Sequence, residues 1–306
     1  VAHELHYTPN ALIRSLQRGK THSIGVFTWM PNMQTCDIAM LLFNGIVTGI
    51  AARRYDTLFY SSYPNPHGDV PAISFMDGRV DGLILGPWGL EQGGLEILAA
   101  SRLPVVALYQ QPVPEALGAV NIDNMSGIMA AVGHLVALGH CRIAYCAPNI
   151  ATDFEERRKG YECGLEDHGI TPDPALCQFY DDYHMPPAEI CDTLFALPDP
   201  PTAIIAGDDF TAFRLWEELE RRGIQVPEDV SLVGFNDVPA ASVPPGLTTV
   251  RQPVEQVGRM AADMLFRLME GAPATDCRIV LPVELVVRGT TGPPRHRCDF
   301  YPKVGT

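Results

Sequence analysis

The chain has 306 residues, 46% of them hydrophobic, and a formal net charge of −14. That length stocks one large or two medium α/β domains. No apolar run reaches the length of a membrane span, no secretory signal opens the chain at Val1, and the acidic balance argues against a uniformly basic nucleic-acid binder.

The first predicted element is a short helix. Pro9 stops what precedes it, Asn10 caps Ala11–Leu16, and Arg14 and Arg18 flank the apolar Leu12 and Leu16. Six residues are too few to hold a helix in water, so it should order on a partner; a basic helix with an apolar wedge suits the minor groove of DNA. An ordinary linker with a marginal helix is the plainer alternative. Charge is uneven here: residues 1–22 carry Arg14, Arg18 and Lys20 against Glu4, a balance of +2, so the remainder sums to −16. Such a body would meet DNA only at its basic end, or its acidity serves solubility alone.

From Ser23, near-continuous apolar strands alternate with amphipathic helices. The strands are Ile24–Trp29, Thr57–Ser61, Gly82–Leu85, Val105–Tyr109 and Ala119–Ile122; the helices are Ala39–Arg53, Ala72–Arg79 and Gly94–Ser101. Strands of this kind belong to a parallel sheet covered on both faces. A second series follows: helix Ser126–Leu138 stopped by Gly139, strand Arg142–Cys146, helix Phe154–Asp167, strand Gln178–Tyr180 and helix Pro187–Leu197. Strand Ala203–Ala206, helix Phe210–Arg222, strands Ser231–Phe235 and Leu247–Arg251, helix Val254–Met269 and a β run Arg278–Val287 complete it. Two α/β series in tandem predict two lobes, each a doubly wound, mostly parallel sheet. The tail from Pro293 reads as irregular.

The eight cysteines form no CxxC, and most lie in apolar segments, which reads as buried free thiols in a reducing cytosol rather than a disulfide framework. His140, Cys141 and Cys146 are separated by a strand, so their spacing does not suit a closed zinc site. No phosphate-binding glycine loop, nucleophile elbow or HExxH motif is present, so nothing positive points to catalysis, a metal or a cofactor.

Ligands of open α/β sheets bind beyond the carboxyl ends of the strands. Here those ends are polar: Tyr109-Gln110, Asp181-Asp182-Tyr183, Gly207-Asp208-Asp209 and Asn236-Asp237. Carboxylates, amides and aromatic rings suit a polyhydroxylated ligand. They equally suit helix caps, Asp208 or Asp209 before Phe210 above all.

Several motifs carry a resemblance. Tyr7-Thr-Pro-Asn-Ala-Leu-Ile-Arg-Ser-Leu16 is similar to the hinge of the LacI/GalR family of bacterial repressors; Glu156-Arg-Arg-Lys-Gly-Tyr161 to its E-R-x-x-G-Y/F; Val226–Pro239 to its V-P-x-D-V-S-V-V-G-F-D-D-x-P; and Leu247–Pro253 to its L-T-T-V-x-Q-P. The resemblance implies a periplasmic-binding-protein-like core whose chain crosses between lobes three times: 23–122 with 253–282, and 123–252 with 283–292, leaving 293–306 as a tail. It implies a cytoplasmic transcriptional regulator, a repressor, whose core takes a small sugar or sugar acid between the lobes and so controls operator binding. A periplasmic solute-binding protein of a sugar transporter is the alternative. It implies effector contacts at Arg157, Asp208, Asn236 and Tyr109, to which the polar strand ends add Asp237 and Tyr183, and DNA contacts at Asn10 and Leu16, beside which Arg14 supplies basic charge. A homodimer is implied too, with Leu42, Ile46 and Ile50 of Ala39–Arg53 as part of its face or else as ordinary sheet-covering residues. The family's helix-turn-helix would lie ahead of the hinge, so residues 1–22 are the end of that headpiece plus the hinge helix. Three pocket positions depart from the family: Asn236 for Asp, Asp208 for Asn, and Tyr109 for Asp.

Overall fold

The computed structural model describes residues 19–27, 37–60, 72–87, 90, 92–149, 152–181, 186–242 and 244–295. They fall into two compact units, the first containing residues up to Asn121 and Val254–Leu281, the second Ile122–Pro253 and the residues from Pro282.

In the first unit, β1 (Ser23–Phe27), β2 (Asp56–Tyr60), β3 (Gly82–Leu85), β4 (Val105–Leu108) and β5 (Gly118–Ile122) join β11 (Arg278–Leu281) in the order β11-β5-β4-β3-β1-β2. β1 lies parallel between β2 and β3. Helices α1 (Asp37–Ala52) and α7 (Val254–Met269) cross closely, because a Cβ on Gly258 would stand 2.4 Å from the Leu42 carbonyl oxygen. Helix α2 (Gln92–Ala99) contributes Leu95 and Leu98 to a separate cluster with Phe27, Phe75, Leu83 and Leu85.

The second unit repeats the plan. β6 (Ile143–Pro148), β7 (Cys177–Tyr180), β8 (Ala203–Ala206), β9 (Ser231–Asn236), β10 (Thr248–Arg251) and β12 (Glu284–Val286) lie in the order β12-β10-β9-β8-β6-β7. All neighbours are parallel except the antiparallel β10–β12 pair. Helices α3 (Asn124–Leu138) and α4 (Thr152–Asp167) pack on each other, while α5 (Pro187–Phe195) and α6 (Asp209–Arg221) close a core of Cys191, Leu194, Leu215 and Leu219 against Ile204 and Leu232. α3 ends as expected at Gly139, whose φ of 105° is open to glycine and whose N–H reaches the Leu135 and Val136 carbonyls.

Three expectations change and one open alternative is decided. The helix expected over Ala72–Arg79 is a single 3-10 turn, Ala72–Phe75, because Gly78 takes a φ of 80° and the Asp77 side chain accepts the Arg79 amide. The run Arg278–Val287 is two strands in two sheets, interrupted at Pro282, which has no N–H for a ladder. Leu42, Ile46 and Ile50 are core residues, 2% exposed or less, so they form no dimer face. Cys146, Cys163, Cys177, Cys191 and Cys277 are free thiols, but Cys141, half-buried in the turn before β6, is disulfide-bonded. Asn10, Arg14, Leu16 and Tyr183 lie outside the described residues. No helix among the described residues is long and apolar enough to cross a membrane.

Candidate functional site

The sheet of the second unit reverses its winding between β6 and β8, since the chain runs from β6 outward to β7 and returns on the other side with β8. A crevice at the carboxyl ends of the strands opens at such a point. Arg157 spans it. The residue sits in the second turn of α4, which follows β6, and its Nη1 donates to the Gly207 carbonyl at 2.7 Å, just past the end of β8. Its Nε donates to Asn124 Oδ1 at 2.8 Å, and its guanidinium lies 3.7 Å from the centre of the Phe235 ring. Arg157 is 3% exposed and makes no surface ion pair with Asp153. Asp153 and Glu156 both accept instead from Asn124 Nδ2, at 3.1 and 2.9 Å.

The rest of the motif is explained by packing. A Cβ on Gly160 would stand 2.6 Å from the Met125 carbonyl oxygen, so the residue lets α4 approach α3. Tyr161 is fully buried and donates to the Ile143 carbonyl at 2.8 Å.

Around Arg157 stand buried carboxylates. Asp208 caps α6 by accepting the Thr211 amide at 2.7 Å. Burial pushes its carboxyl above the usual range, against the hydrogen bond from Thr211 and the pull of Arg157. Asp209 is fully buried; it accepts from Thr249 Oγ1 at 2.5 Å and from the Val238 amide at 2.9 Å. Burial raises it to about 6, with the Asp208 and Asp237 charges adding to the rise. Asp153 is likewise raised by burial to about 6.

At the end of β9, its last residue Asn236 and the following Asp237 adopt φ values of 133° and 57°, backbone that non-glycine residues rarely take. Neighbours hold them there. Asn236 Oδ1 accepts the Gln252 amide, and Asp237 is ion-paired to Arg251 at 2.7 Å and Arg288 at 2.6 Å. The structure thus brings together Arg157, Asp208, Asn236 and Asp237 at one edge of one sheet. Tyr109 belongs to the first unit, at the end of β4, with a φ of 52°. Beside it, the Asn121 side chain bonds both backbone groups of Gln110, and the Gln110 side chain donates to the Leu90 carbonyl at 2.6 Å.

Sequence reasoning did not find Asn124, Phe235, Thr249, Arg251 or Arg288. Each is defined by a partner at least ten residues away, which leaves no local signal. An open groove of about 480 Å³ lies beside α4, lined by Asn149, Phe154, Glu155, Arg158 and Phe179 among others. Asp208, Asn236 and Asp237 do not line it, so the convergent polar groups rather than this groove mark the candidate site. His140 is buried with both ring nitrogens engaged, by Thr202 and by Ser231 and the Gly292 carbonyl.

The family described as Periplasmic binding protein-like domain matches residues 132–291. The HTH-type transcriptional regulator DegA of Bacillus subtilis is 29% identical over 96% of this chain and 88% of its own length. The Ribose operon repressor of Escherichia coli is 28% identical over 94% of this chain and 87% of its own length. A transcriptional regulator CelR–cellobiose complex superposes with a TM-score of 0.79 at 27% identity, covering 94% of this chain and 88% of that one. Fold, motifs and relatives agree: the chain belongs to the periplasmic binding protein-like domain family, as a member of its LacI/GalR group of transcriptional regulators.

Proposed function

We propose that this regulator senses a small neutral sugar through the carboxyl-edge cluster of its second unit, and that the bound sugar changes its affinity for operator DNA. The carrying observation is Arg157, a buried cation bridging Asn124 and Gly207 across the point where the sheet reverses. A guanidinium fixed this way offers directional donors to hydroxyls, while its neighbours Asp208 and Asp237 supply acceptors and Asn236 a further donor. Phe235, fully buried beneath the guanidinium, holds it in place. The names of two relatives, with ribose and cellobiose, support a sugar. Charge selects among sugars: the carboxylates of Asp153, Glu156, Asp208, Asp209 and Asp237 outnumber Arg157, Arg251 and Arg288. A sugar acid would add a further negative charge, so a neutral sugar is preferred to a sugar acid on electrostatic grounds.

The regulator reading stands above that of a transporter's solute-binding protein because the relatives are regulators. It assigns DNA contacts to Asn10, Arg14 and Leu16, action in the cytoplasm where DNA is, no catalytic residue and no cofactor. A second copy of the chain is supported by the apolar surface of Met40, Leu41 and Val47 on α1 beside Phe59 on β2, all exposed by more than a third.

A thermal-shift screen tests the reading. A ligand that binds only the folded state stabilises it by about 2.7 kcal/mol at 100 times its Kd. Ribose, cellobiose, other neutral sugars, nucleosides and sugar acids are compared at 1–10 mM (roughly the range that saturates a micromolar site). A concentration-dependent rise in midpoint with one neutral sugar is expected. A rise with a sugar acid alone refutes the charge argument, and no rise with any sugar refutes the effector class.

A further inference from the structure

The first residues described, just ahead of β1, are fastened by a single carboxylate. Asp81, in the turn before β3, accepts the Thr21 amide at 2.7 Å and the Thr21 hydroxyl at 2.9 Å on Oδ1, and the His22 amide at 2.9 Å on Oδ2. Its own amide donates to the Ser23 carbonyl at 2.8 Å, and the His22 carbonyl takes the Asp56 amide at 2.9 Å. The Thr21 hydroxyl in turn accepts the Ser23 amide at 3.2 Å. His22 has a φ of 53°, a left-handed backbone that a histidine keeps only when its surroundings over-determine it. Its ring lies 5.2 Å from that of Tyr55.

The sheet does not require this arrangement. The pairing of β1 runs over Ser23–Phe27 against Asp56–Tyr60 on one side and over Ile24–Phe27 against Gly82–Leu85 on the other. The Asp81 carboxylate bonds the two residues just ahead of that strand and so holds the backbone where the chain enters β1. We propose that Asp81 is a positioning residue for DNA binding: through Thr21 and His22 it aims the basic N-terminal segment. The inference rests on the regulator reading above.

The three bonds predict a graded series. Asp81→Ala removes all three. Asp81→Asn keeps one oxygen for Thr21 but sets an amide donor against the His22 N–H. Thr21→Val removes only the hydroxyl. The whole gene product containing this chain is used, with the duplex that the wild-type regulator selects from a random-sequence library. Operator affinity should fall about tenfold in Asp81→Ala, equivalent to about 1.4 kcal/mol, and about threefold in Asp81→Asn. The slope of log affinity against log salt should become shallower by about one for each phosphate that is no longer neutralised. Thr21→Val should cost affinity in the wild type and nothing more in Asp81→Ala, because the two act as one unit. The thermal midpoint should move by no more than about 2 °C.

If the wild type selects no duplex, the DNA reading falls and takes the proposal with it. If the wild type selects one and Asp81→Ala binds it with unchanged affinity, the role of Asp81 alone is overturned. An affinity loss with an unchanged salt slope also overturns it, since a residue that merely supports the fold lowers the active fraction without freeing any phosphate. Should Asp81→Ala fail to fold, Asp81→Asn and Thr21→Val carry the same comparison.

Discussion

Truncating Arg157 to alanine separates two roles that the sequence runs together. The family resemblance gives this side chain a ligand. The structure makes Arg157 part of the fold of the second unit. The substitution strips the Asn124 Oδ1 and Gly207 carbonyl acceptors of their donors, at a site where Asn124 is 1% exposed. Each buried acceptor left unpaired costs about 1–3 kcal/mol. The contact with the Phe235 face adds about 1–2 kcal/mol when desolvated. Asp208 loses the cation that opposes its burial. Water entering the vacated polar space offsets part of this, which leaves a net loss of about 3 kcal/mol. For a domain of this size that is a midpoint lowered by roughly 6–12 °C in a circular-dichroism melt. Arg157→Lys keeps the charge but not the planar fork, so it should fall between alanine and wild type in stability and still lose most of the sugar-induced shift. Both are measured well below the lowered midpoint, so that a missing shift reports binding rather than unfolding. An Arg157→Ala protein melting within 2 °C of wild type (less than about 1 kcal/mol) would show that the bridge across the strand ends carries no energy. A folded one with an undiminished sugar shift would remove Arg157 from the ligand site.

Two further substitutions test the surroundings. The folded-state pKa of Asp209, about 6, lies above its unfolded value, so the native state binds the proton first and its ionised form is the costly one. Relative to Asp209→Asn, the wild type should therefore gain stability as pH falls from 7 through 6 towards 4, by about 3 kcal/mol at most; a difference between the two denaturation curves that is flat in pH, or rises with pH, contradicts this. Asparagine can still accept the Val238 amide and donate to Thr249, so its fold should survive. Gly160→Ala should destabilise by about 1–2 kcal/mol despite alanine's better helix propensity, because its Cβ would meet backbone at 2.6 Å. Gly133→Ala, on the adjoining helix with nothing nearer than 3.6 Å, should stabilise by about 0.5–1 kcal/mol; equal effects in urea titration would show that helix crossing is not what keeps Gly160 small.

The central strands β1, β3, β4, β6, β8 and β9 were legible because each is apolar almost throughout, which only a sheet covered on both faces requires. Gly139 and the cap at Asp208 were legible because they are local chemistry, settled within four residues. Strand order was not, because which strand lies beside which depends on pairing across tens of residues. Ala72–Arg79 shows the limit of periodicity: the apolar spacing of a helix is there, but Asp77-Gly78 supplies a turn that takes over first. Arg278–Val287 shows another, since one β-type run divides between two sheets at Pro282. On α1, the sequence marks an amphipathic helix without saying which partner its apolar stripe meets; close approach by α7 at Gly258 takes Leu42 and Ile46 into the core and leaves Met40, Leu41 and Val47 outside.

The departure at Asn236 gains a meaning that composition alone could not give it. An aspartate at that position would offer only acceptors. Asn236 has its oxygen occupied by the Gln252 side chain, so what it presents elsewhere is the Nδ2 donor. Gln252 sits directly after β10, next to Arg251, which also holds Asp237. The same short segment therefore sets the polarity of one candidate contact and immobilises the charge of the next. On the proposed reading, the edge of β9 addresses a sugar with one donor at Asn236 beside the carboxylate of Asp237, whose charge is already matched by two arginines. A ligand contact of that kind favours hydroxyls, which both give and take hydrogen bonds, over a carboxylate, which can only accept. This is the preference that the surplus of carboxylates around Arg157 sets independently.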